Sequence, residues 1–359
     1  MTSCHRRTTV FIVDDSAVSR DLLTRVLTSD PEITVIGYAR SGAEAVAVLG
    51  EARPDVVTMD IHMPGIDGFE ATRQIMESHP VPIVVVSAGY EPGDVAKMFR
   101  AMEAGAVASV EKPSGPGSPT HAILSQKLID AVKAMSEVRV VRRWSRARAE
   151  VRAPEPAVLD RPARDIRLVA IGASTGGPPV LHTLLAGLPQ PCPVPVLIVQ
   201  HISAGFVEGL AEWLATATGV PVRIAHDGEL AKPGTAYLAP DGCQMTIRGD
   251  YRIACGSGQP AEHGLRPAAS SLFRSVAESF GAHAVGILLT GMGCDGAEEL
   301  KRMRDAGAVT FAQDRESSVV HGMPGEAIRL GAARHVGDPG RIAMILRALL
   351  ASRASRRAP

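Results

Sequence analysis

The first third of the chain alternates short apolar runs with amphipathic segments of helical periodicity. Apolar runs of this length indicate buried β-strands, and the amphipathic segments indicate helices. The predicted strands are Val10–Val13, Ile33–Tyr38, Asp55–Met59, Ile83–Val86 and Val107–Val110. Helices are predicted between them, for example over Ala43–Glu51 and Gly68–Ser78, and a last one over Ala122–Val138. Successive strand–helix units of this kind predict a doubly wound parallel sheet.

The same alternation resumes at Arg167 and predicts a second parallel α/β domain. Its predicted strands are Leu168–Ile171, Val194–Val199, Val285–Leu289 and Ala308–Phe311. A hairpin is predicted over Met245–Ile253, with its turn at Gly249-Asp250, and a closing helix over Arg341–Ala351.

The stretch between these two domains has a different composition. Residues 139–152 contain six arginines and a single acidic residue, Glu150, and prolines follow at positions 154, 156 and 162. Such a composition is typical of a solvated connector, although the arginines also allow contact with a polyanion. We therefore predict domains at residues 9–137 and 166–354, joined by an Arg/Pro-rich linker at residues 138–165.

Composition and charge narrow the functional classes. Of the 359 residues, 45% are hydrophobic, and 38 acidic residues balance 38 basic ones, which gives no support for nucleic-acid binding. No apolar run approaches the about 18 residues of a membrane span, and the N-terminus does not resemble a secretory signal. Five scattered cysteines fit a reducing compartment. We expect a soluble cytoplasmic protein that does not insert into a membrane.

The N-terminal domain gathers charged and polar residues at the ends of its predicted strands. Asp14-Asp15 end the first strand, Asp60 the third and Ser87 the fourth, and Lys112 follows the fifth. The carboxyl ends of neighbouring parallel strands converge on one crevice. Three carboxylates there repel one another unless they bind a hard divalent cation such as Mg²⁺. Lys112 and Ser87 would then stabilise a phosphoryl group on one carboxylate.

On these residues, the segment 9–137 resembles the receiver domain of two-component response regulators, which has a flavodoxin-like fold. The resemblance implies that Asp60 accepts the phosphoryl group and that Asp14, Asp15 and Asp60 hold Mg²⁺. It also implies that Ser87 and Lys112 contact the phosphoryl group, and that a histidine kinase donates it.

In the C-terminal domain the first strand runs into the turn Ile171-Gly-Ala-Ser-Thr-Gly-Gly177. A P-loop requires a lysine near the end of such a turn, but prolines follow Gly177 here. A dinucleotide site requires an acid at the end of the next strand, which instead ends in Gln200-His201. The P-loop interpretation therefore fails and the dinucleotide interpretation is weakened, and the same residues favour Ser174 as a nucleophile on a strand-to-helix turn.

Two further strand ends support this interpretation. His201 ends the second strand, and Asp295 lies in the Gly-rich loop Thr290–Gly296 after a third. A serine hydroxyl needs a base, and the base needs an orienting acid, so three converging strand ends would supply a triad. Each residue also has an ordinary structural interpretation, because Ser174 and Asp295 are good helix caps and His201 fits a buried, hydrogen-bonded histidine.

Residues 167–350 resemble the catalytic domain of chemotaxis response-regulator protein-glutamate methylesterases, and the receiver–linker–effector order agrees. The matching stretches are Ile171–Gly177, Gln200-His201, Thr290–Gly296, Ala312–Asp314 and Gly322–Ala327. The resemblance implies a Rossmann-like three-layer α/β/α domain in which Ser174, His201 and Asp295 are nucleophile, base and orienting acid. It also implies that the backbone N–H of Met292 is an oxyanion donor and that hydrolysis needs no cofactor.

The resemblance further implies the reaction and its partners. The substrates are glutamate methyl esters and glutamine amides on the cytoplasmic domains of methyl-accepting chemoreceptors. The phosphodonor is the histidine kinase of a chemotaxis-type array, and phosphorylation of the receiver regulates hydrolysis.

Two segments depart from the family pattern: Ile202-Ser203 stands for the usual Met-Pro, and Ala268-Ala269-Ser270-Ser271 for the usual Pro-Ser-Val-Asp region. We interpret both as bordering the substrate path. They keep one alternative open, which is a phosphorylation-controlled binding protein with a catalytically silent effector domain.

Overall fold

A computed structural model of the chain describes residues 7–87, 108–136, 165–202 and 204–354. The chain forms two compact units, Met1–Val151 and Arg152–Pro359. Of the predicted linker 138–165, only Asp165 is among the described residues. Val107, Val138 and Ser203 also lie outside them.

The first unit is built on one parallel sheet. Its strands are β1 (Thr8–Val13), β2 (Ile33–Ala39), β3 (Val56–Met59), β4 (Ile83–Ser87) and β5 (Ala108–Glu111). Its described helices are α1 (Ala17–Thr28), α2 (Gly42–Ala52), α3 (Gly68–Ser78) and α4 (His121–Ser136). The strand order is β2-β1-β3-β4-β5, and all four pairings are parallel. The doubly wound sheet predicted for this half is confirmed.

Local sequence explains where the first three helices of this unit begin. Ser16 accepts from the N–H of Ser19, and Ser41 accepts from that of Glu44. Asp67 accepts from the N–H groups of Phe69 and Glu70. Each side chain satisfies N–H groups that have no partner within the first helical turn, which is the usual function of an N-cap.

The second unit contains a larger parallel sheet and a separate hairpin. The sheet strands are β6 (Leu168–Ala173), β7 (Val196–Gln200), β8 (Val222–Ile224), β9 (Ala236–Leu238), β12 (Ala284–Leu288), β13 (Val309–Gln313) and β14 (His335–Gly337). The hairpin strands are β10 (Gln244–Ile247) and β11 (Ile253–Gly256). The helices are α5 (Gly177–Ala186), α6 (Val207–Thr218), α7 (Ala269–Phe280), α8 (Ala297–Asp305), α9 (Met323–Arg329) and α10 (Pro339–Ala354).

The order of the larger sheet places β6 near its centre. The order is β14-β13-β12-β6-β7-β9-β8, and every neighbouring pair is parallel. The chain leaves β6 for β7 on one side and later returns to β12 on the other. This change of direction makes the carboxyl end of β6 a topological switch point, where α/β sheets bind ligands.

Three strands of this sheet were not predicted. β8, β9 and β14 are each three residues long, which is too short for a periodic pattern to be recognised. The predicted hairpin is confirmed, with Ile247 opposite Ile253. Its turn is longer than the predicted dipeptide, because the N–H of Arg248 donates to the carbonyl of Arg252 and Tyr251 adopts a positive φ of 65°.

Both units bury apolar residues on their sheets. In the second unit one cluster joins the inner faces of α7, α8 and the hairpin to the sheet, and it includes the fully buried Tyr237, Phe273 and Met245. Burial of this kind is the main stabilising contribution to such a domain. Among the described residues, no helix combines the length and apolarity needed to cross a membrane.

Candidate active site and candidate phosphorylation site

Ser174 lies on the turn between β6 and α5, at the centre of the larger sheet. Its N–H donates to the carbonyl of Thr290 at 3.0 Å, and its carbonyl accepts from the N–H of Gly177 at 2.8 Å. The N-cap of α5 is Gly176, with φ 77° and no side-chain capping bond. Ser174 therefore does not cap this helix, and its half-buried side chain stands at the switch point.

His201 immediately follows β7 and is linked to the first turn. Its N–H donates to the carbonyl of Ala173 at 2.9 Å. Its ring Nε2 lies 2.9 Å from Oδ2 of Asp295, and its side chain is only 11% exposed. A carboxylate can only accept, so Nε2 is the nitrogen that donates to Asp295, which leaves Nδ1 as the nitrogen available to act as a base. The described hydrogen bonds include none between His201 and the Ser174 hydroxyl.

Asp295 lies in the loop after β12 and is almost fully buried, with 2% exposure. Oδ2 also accepts from the N–H of Ala269 at 2.6 Å, and Oδ1 accepts from the N–H of Ser270 at 3.1 Å. These N–H groups begin α7, whose N-cap residue Ala268 has no capping side chain. Asp295 is thus a cap, as the alternative allowed, but it caps α7 rather than the helix that follows it.

Burial by itself would raise the pKa of Asp295, because removing a carboxylate from water disfavours its charged form. The hydrogen bond and charge of His201 act in the opposite direction, together with hydrogen bonds from Ser270 and Ala269. Their combined effect lowers the pKa of Asp295 below its ordinary value, so this acid is ionised near neutral pH.

The loop that carries Asp295 packs closely against the Ser174 turn. The hydroxyl of Thr290 donates to the carbonyl of Thr175 at 2.9 Å. A Cβ on Gly291 would lie 2.6 Å from the Cβ of Ser174, so only glycine fits there. The N–H of Gly291 is used by the carbonyl of Val320 at 2.9 Å. Met292 follows directly, with its side chain 52% exposed.

Sequence reasoning missed several residues around these three. The sequence predicted no role for Gln200, yet its side-chain amide donates to the backbone carbonyls of both Ser174 and His201. The N–H groups of Ala269 and Ser270 were not expected to contact Asp295. Ala268 has no side-chain oxygen to cap α7. This absence is the sequence signal that a group from elsewhere in the chain must accept from the first N–H groups of the helix.

The interpretation of residues 268–271 as bordering the substrate path is wrong. All four are buried, with exposures of 0% at Ala268, Ala269 and Ser270 and 3% at Ser271. The N–H groups of Ala269 and Ser270 donate to Asp295, and the Ser270 hydroxyl accepts from the N–H of Gly296 at 2.9 Å. This departure from the family pattern therefore concerns the support of the acid. Ile202 is half-buried beside His201, and Ser203 is not described.

In the first unit, the three predicted metal ligands lie together at the carboxyl ends of β1 and β3. One carboxylate oxygen each from Asp14, Asp15 and Asp60 lies within 4.8 Å of the others. Asp14 is fully buried and Asp60 is 7% exposed, whereas Asp15 is exposed. An all-carboxylate set of this size fits a hard divalent cation that retains water ligands, as Mg²⁺ does.

Lys112 joins two of these acids. Its Nζ lies 2.8 Å from Oδ2 of Asp14 and 2.9 Å from Oδ2 of Asp60. Burial lowers the pKa of Lys112, but its hydrogen bonds to both carboxylates and their charges outweigh that effect and raise it. Ser87 is fully buried at the end of β4, and its carbonyl accepts from the N–H of Lys112 at 2.8 Å. All five predicted phosphorylation-site residues thus lie at this edge of the sheet.

Comparison with known proteins gives matches over both units. The CheB methylesterase family model matches residues 169–346, and the response regulator receiver domain model matches residues 10–124. The protein-glutamate methylesterase/protein-glutamine glutaminase 4 of Geobacter metallireducens is 54% identical over 341 residues, covering 95% of this chain and 98% of that protein. The corresponding protein of Nitrosospira multiformis is 51% identical over 350 residues, covering 96% and 97%.

Among solved structures, the catalytic domain of the Thermotoga maritima CheB methylesterase is similar to the second unit. It is 33% identical, covers 51% of this chain and 98% of that chain, and superposes with a TM-score of 0.50.

Proposed function

We propose the function of this chain from one premise, which is that it belongs to the protein-glutamate methylesterase/protein-glutamine glutaminase family. The proposed reaction is hydrolysis of glutamate methyl esters, and of glutamine amides, on methyl-accepting chemoreceptors during chemotaxis adaptation. The observation that carries the proposal is the buried His201–Asp295 hydrogen bond beside the Ser174 turn, at the switch point of the sheet.

In the proposed first step, Ser174 Oγ attacks the ester carbonyl carbon while His201 takes the hydroxyl proton. Asp295 holds the proton of Nε2, so Nδ1 is the nitrogen that acts as base. The ionised Asp295 then stabilises the imidazolium that forms. When the tetrahedral intermediate collapses, methoxide leaves with the proton from Nδ1 as methanol, and an acyl-enzyme remains.

In the second step, water attacks the acyl-enzyme as His201 takes one of its protons. Ser174 recovers its hydrogen from His201, and the product is a glutamate carboxylate. With a glutamine substrate the leaving group is ammonia and the later steps are the same, which makes deamidation the second activity. We assign the Met292 N–H as an oxyanion donor, and the assignment is supported by the close approach of its neighbour Gly291, where an added Cβ would lie 2.6 Å from the Ser174 Cβ.

We propose that phosphorylation of Asp60 in the first unit regulates this hydrolysis. Asp14, Asp15 and Asp60 would hold Mg²⁺, which when bound supplies positive charge to the phosphoryl oxygens. Ser87 and Lys112 would contact the phosphoryl group, and the expected donor is the histidine kinase of a chemotaxis-type array. The cluster supports a phosphorylation site because two of its acids, Asp14 and Asp60, already bind the ammonium group of Lys112.

The experiment that tests the activity compares methanol release from methylated receptor cytoplasmic fragments by the full chain and by Ser174→Ala. We expect the substitution to lower the rate at least ~10³-fold, since it removes the nucleophile. Ser279→Ala is the matched control, because Ser279 is half-buried on α7 and its hydroxyl donates to the carbonyl of Ile247 in the hairpin.

A serine-directed phosphonate separates the proposal from the alternative of a silent binding module. The wild-type chain and Ser279→Ala should be labelled, and Ser174→Ala should not. Absence of both labelling and methanol release from the wild-type chain would contradict the enzymatic proposal and favour the binding module.

A further inference from the structure

Gln200, the last residue of β7, links the two turns that carry Ser174 and His201. Its side-chain Nε2 donates to the backbone carbonyl of Ser174 at 2.8 Å and to that of His201 at 2.8 Å. The residue is 5% exposed, so water does not compete for these bonds. Both hydrogens of the amide are therefore used to join the backbone of the nucleophile to that of the base.

A side chain is needed for this link, because the two groups it joins are both acceptors. Two carbonyl oxygens cannot bond to each other, and a backbone N–H supplies only one hydrogen. The planar side-chain amide of glutamine carries two hydrogens on one nitrogen, and at position 200 this nitrogen lies within hydrogen-bond distance of both carbonyls. The Ser174 N–H also donates to the carbonyl of Thr290, and the Ser174 carbonyl also accepts from the N–H of Gly177. Three hydrogen bonds therefore fix the backbone of Ser174.

The oxygen of the same amide indicates that position 200 does not hold a glutamine merely to fill space. Its Oε1 is buried and has no hydrogen-bond partner among the described residues. A Cβ on Gly177 would lie 2.1 Å from this oxygen, so the oxygen occupies the space that a side chain there would need. An unpartnered buried acceptor is unfavourable, and an apolar side chain would avoid it. The two donated bonds therefore account for the amide.

We propose that Gln200 is a positioning residue for hydrolysis, fixing Ser174 relative to His201 without touching the substrate. The inference rests on the proposed function, because it concerns the geometry of the same nucleophile and base. Reaction rates depend steeply on such geometry, and a misplacement of about 1 Å costs on the order of 100-fold.

The test uses Gln200→Met and Gln200→Glu in the full chain. Methionine has similar length and no donor, whereas glutamate keeps the shape of glutamine and replaces the donating nitrogen with oxygen. We expect kcat for methanol release to fall by on the order of 10- to 100-fold with KM within about twofold, since substrate contacts are unchanged. The rate of phosphonate labelling at Ser174 should fall in parallel.

Thr310→Val is the matched control for stability. Thr310 is fully buried in β13, and its hydroxyl donates to the carbonyl of Ala332 at 2.7 Å, outside the Ser174 and His201 turns. This variant should lose stability in urea unfolding as the Gln200 variants do, yet keep kcat and the labelling rate. If Gln200→Met or Gln200→Glu folds and labels at the wild-type rate, the positioning role is wrong.

Phosphonate labelling also shows whether a negative result refutes the positioning role of Gln200 or the proposed substrate. A wild-type chain that labels but releases no methanol would refute the substrate, while the labelling rates of the Gln200 variants would still decide the positioning role. A wild-type chain that does not label has no activated serine to position, and that result would overturn both proposals. Should Gln200→Met fail to fold, the isosteric Gln200→Glu variant carries the comparison.

Discussion

The carboxylate of Asp295 contacts two parts of the second unit at once. Oδ2 accepts from His201 Nε2 and from the N–H of Ala269, and Oδ1 accepts from the N–H of Ser270. A buried anion is tolerated only when donors of this kind surround it. The start of α7 supplies two of them and adds the positive end of the helix dipole. The candidate acid is therefore kept ionised by His201 and by the start of a helix that lies before it in sequence.

The free energy of unfolding of Asp295→Asn tests whether the charge of Asp295 stabilises the fold. The lowered pKa of Asp295 means that its charged form stabilises the fold. That contribution is present above the unfolded value of about 3.9 and is lost as the pH falls through the folded pKa. We expect the free energy of unfolding of the wild type to exceed that of Asp295→Asn near pH 7, and the difference to shrink at acidic pH. Urea unfolding followed by circular dichroism measures it.

The exposed Asp250 of the hairpin turn provides the control for this experiment. Asp250→Asn should lie close to the wild type, because an exposed turn carboxylate contributes little to stability. A difference between wild type and Asp295→Asn that stays constant across the whole pH range would show that its cause is packing and not charge.

At the scale of secondary-structure elements, the β6–α5 turn is assembled by close backbone approach. Gly176 adopts a positive φ of 77°, and a Cβ on it would lie 2.5 Å from Val319. A Cβ on Gly177 would lie 2.1 Å from Gln200 Oε1. Both positions therefore require glycine. The loop that carries Val319 excludes a side chain at position 176, and the side chain of Gln200 from β7 excludes one at position 177.

We predict that Gly177→Ala destabilises the second unit although alanine favours helices. Overpacking of this kind typically costs about 1–3 kcal/mol, which exceeds the gain of about 1 kcal/mol from helix propensity. Thermal or urea unfolding of the full chain measures the change. Gly258→Ala is the matched control, since no heavy atom lies within 4 Å of its added Cβ and its stability should be unchanged. Equal stability of both variants would contradict the close contact.

At the scale of the whole molecule, the two units place different chemistry at equivalent positions. In the first sheet β1 lies between β2 and β3, and in the second β6 lies between β12 and β7. Each arrangement creates a switch point at the carboxyl ends of its strands. One switch point collects carboxylates and a lysine, and the other collects a serine, a histidine and an aspartate. These two sets of side chains support the proposed phosphorylation input and the proposed hydrolytic output in one chain.

Asp60→Asn tests the link between the two units. We expect a small-molecule phosphodonor with Mg²⁺ to raise methanol release by the wild type, and EDTA to abolish the rise. The asparagine variant should keep its basal rate but show no rise, because it cannot form the acyl phosphate. Asp21→Asn, at an exposed acid on α1, should respond like the wild type. A rise that persists in Asp60→Asn would exclude Asp60 as the regulatory acceptor.

Much of the fold was determined by local patterns in the sequence. The apolar runs of β1 and β6 are buried on both sheet faces, so they appear as continuous hydrophobic stretches. Polar residues follow the ends of these two strands and of β3 and β7, which allowed Asp14, Asp60, Ser174 and His201 to be assigned to strand ends. These features are predictable because each depends on residues adjacent in sequence.

Only the tertiary structure decided how those residues are supported. It showed that Lys112 joins Asp14 to Asp60, that Asp295 caps α7, and that Gln200 joins the Ser174 and His201 turns. Each of these links joins segments that are far apart in sequence, so no local pattern predicts it. A hydrogen bond depends on distances of a few tenths of an ångström, and these are set by how whole elements pack. The sequence determined which groups are available for chemistry, and the packing of the elements determined which of them meet.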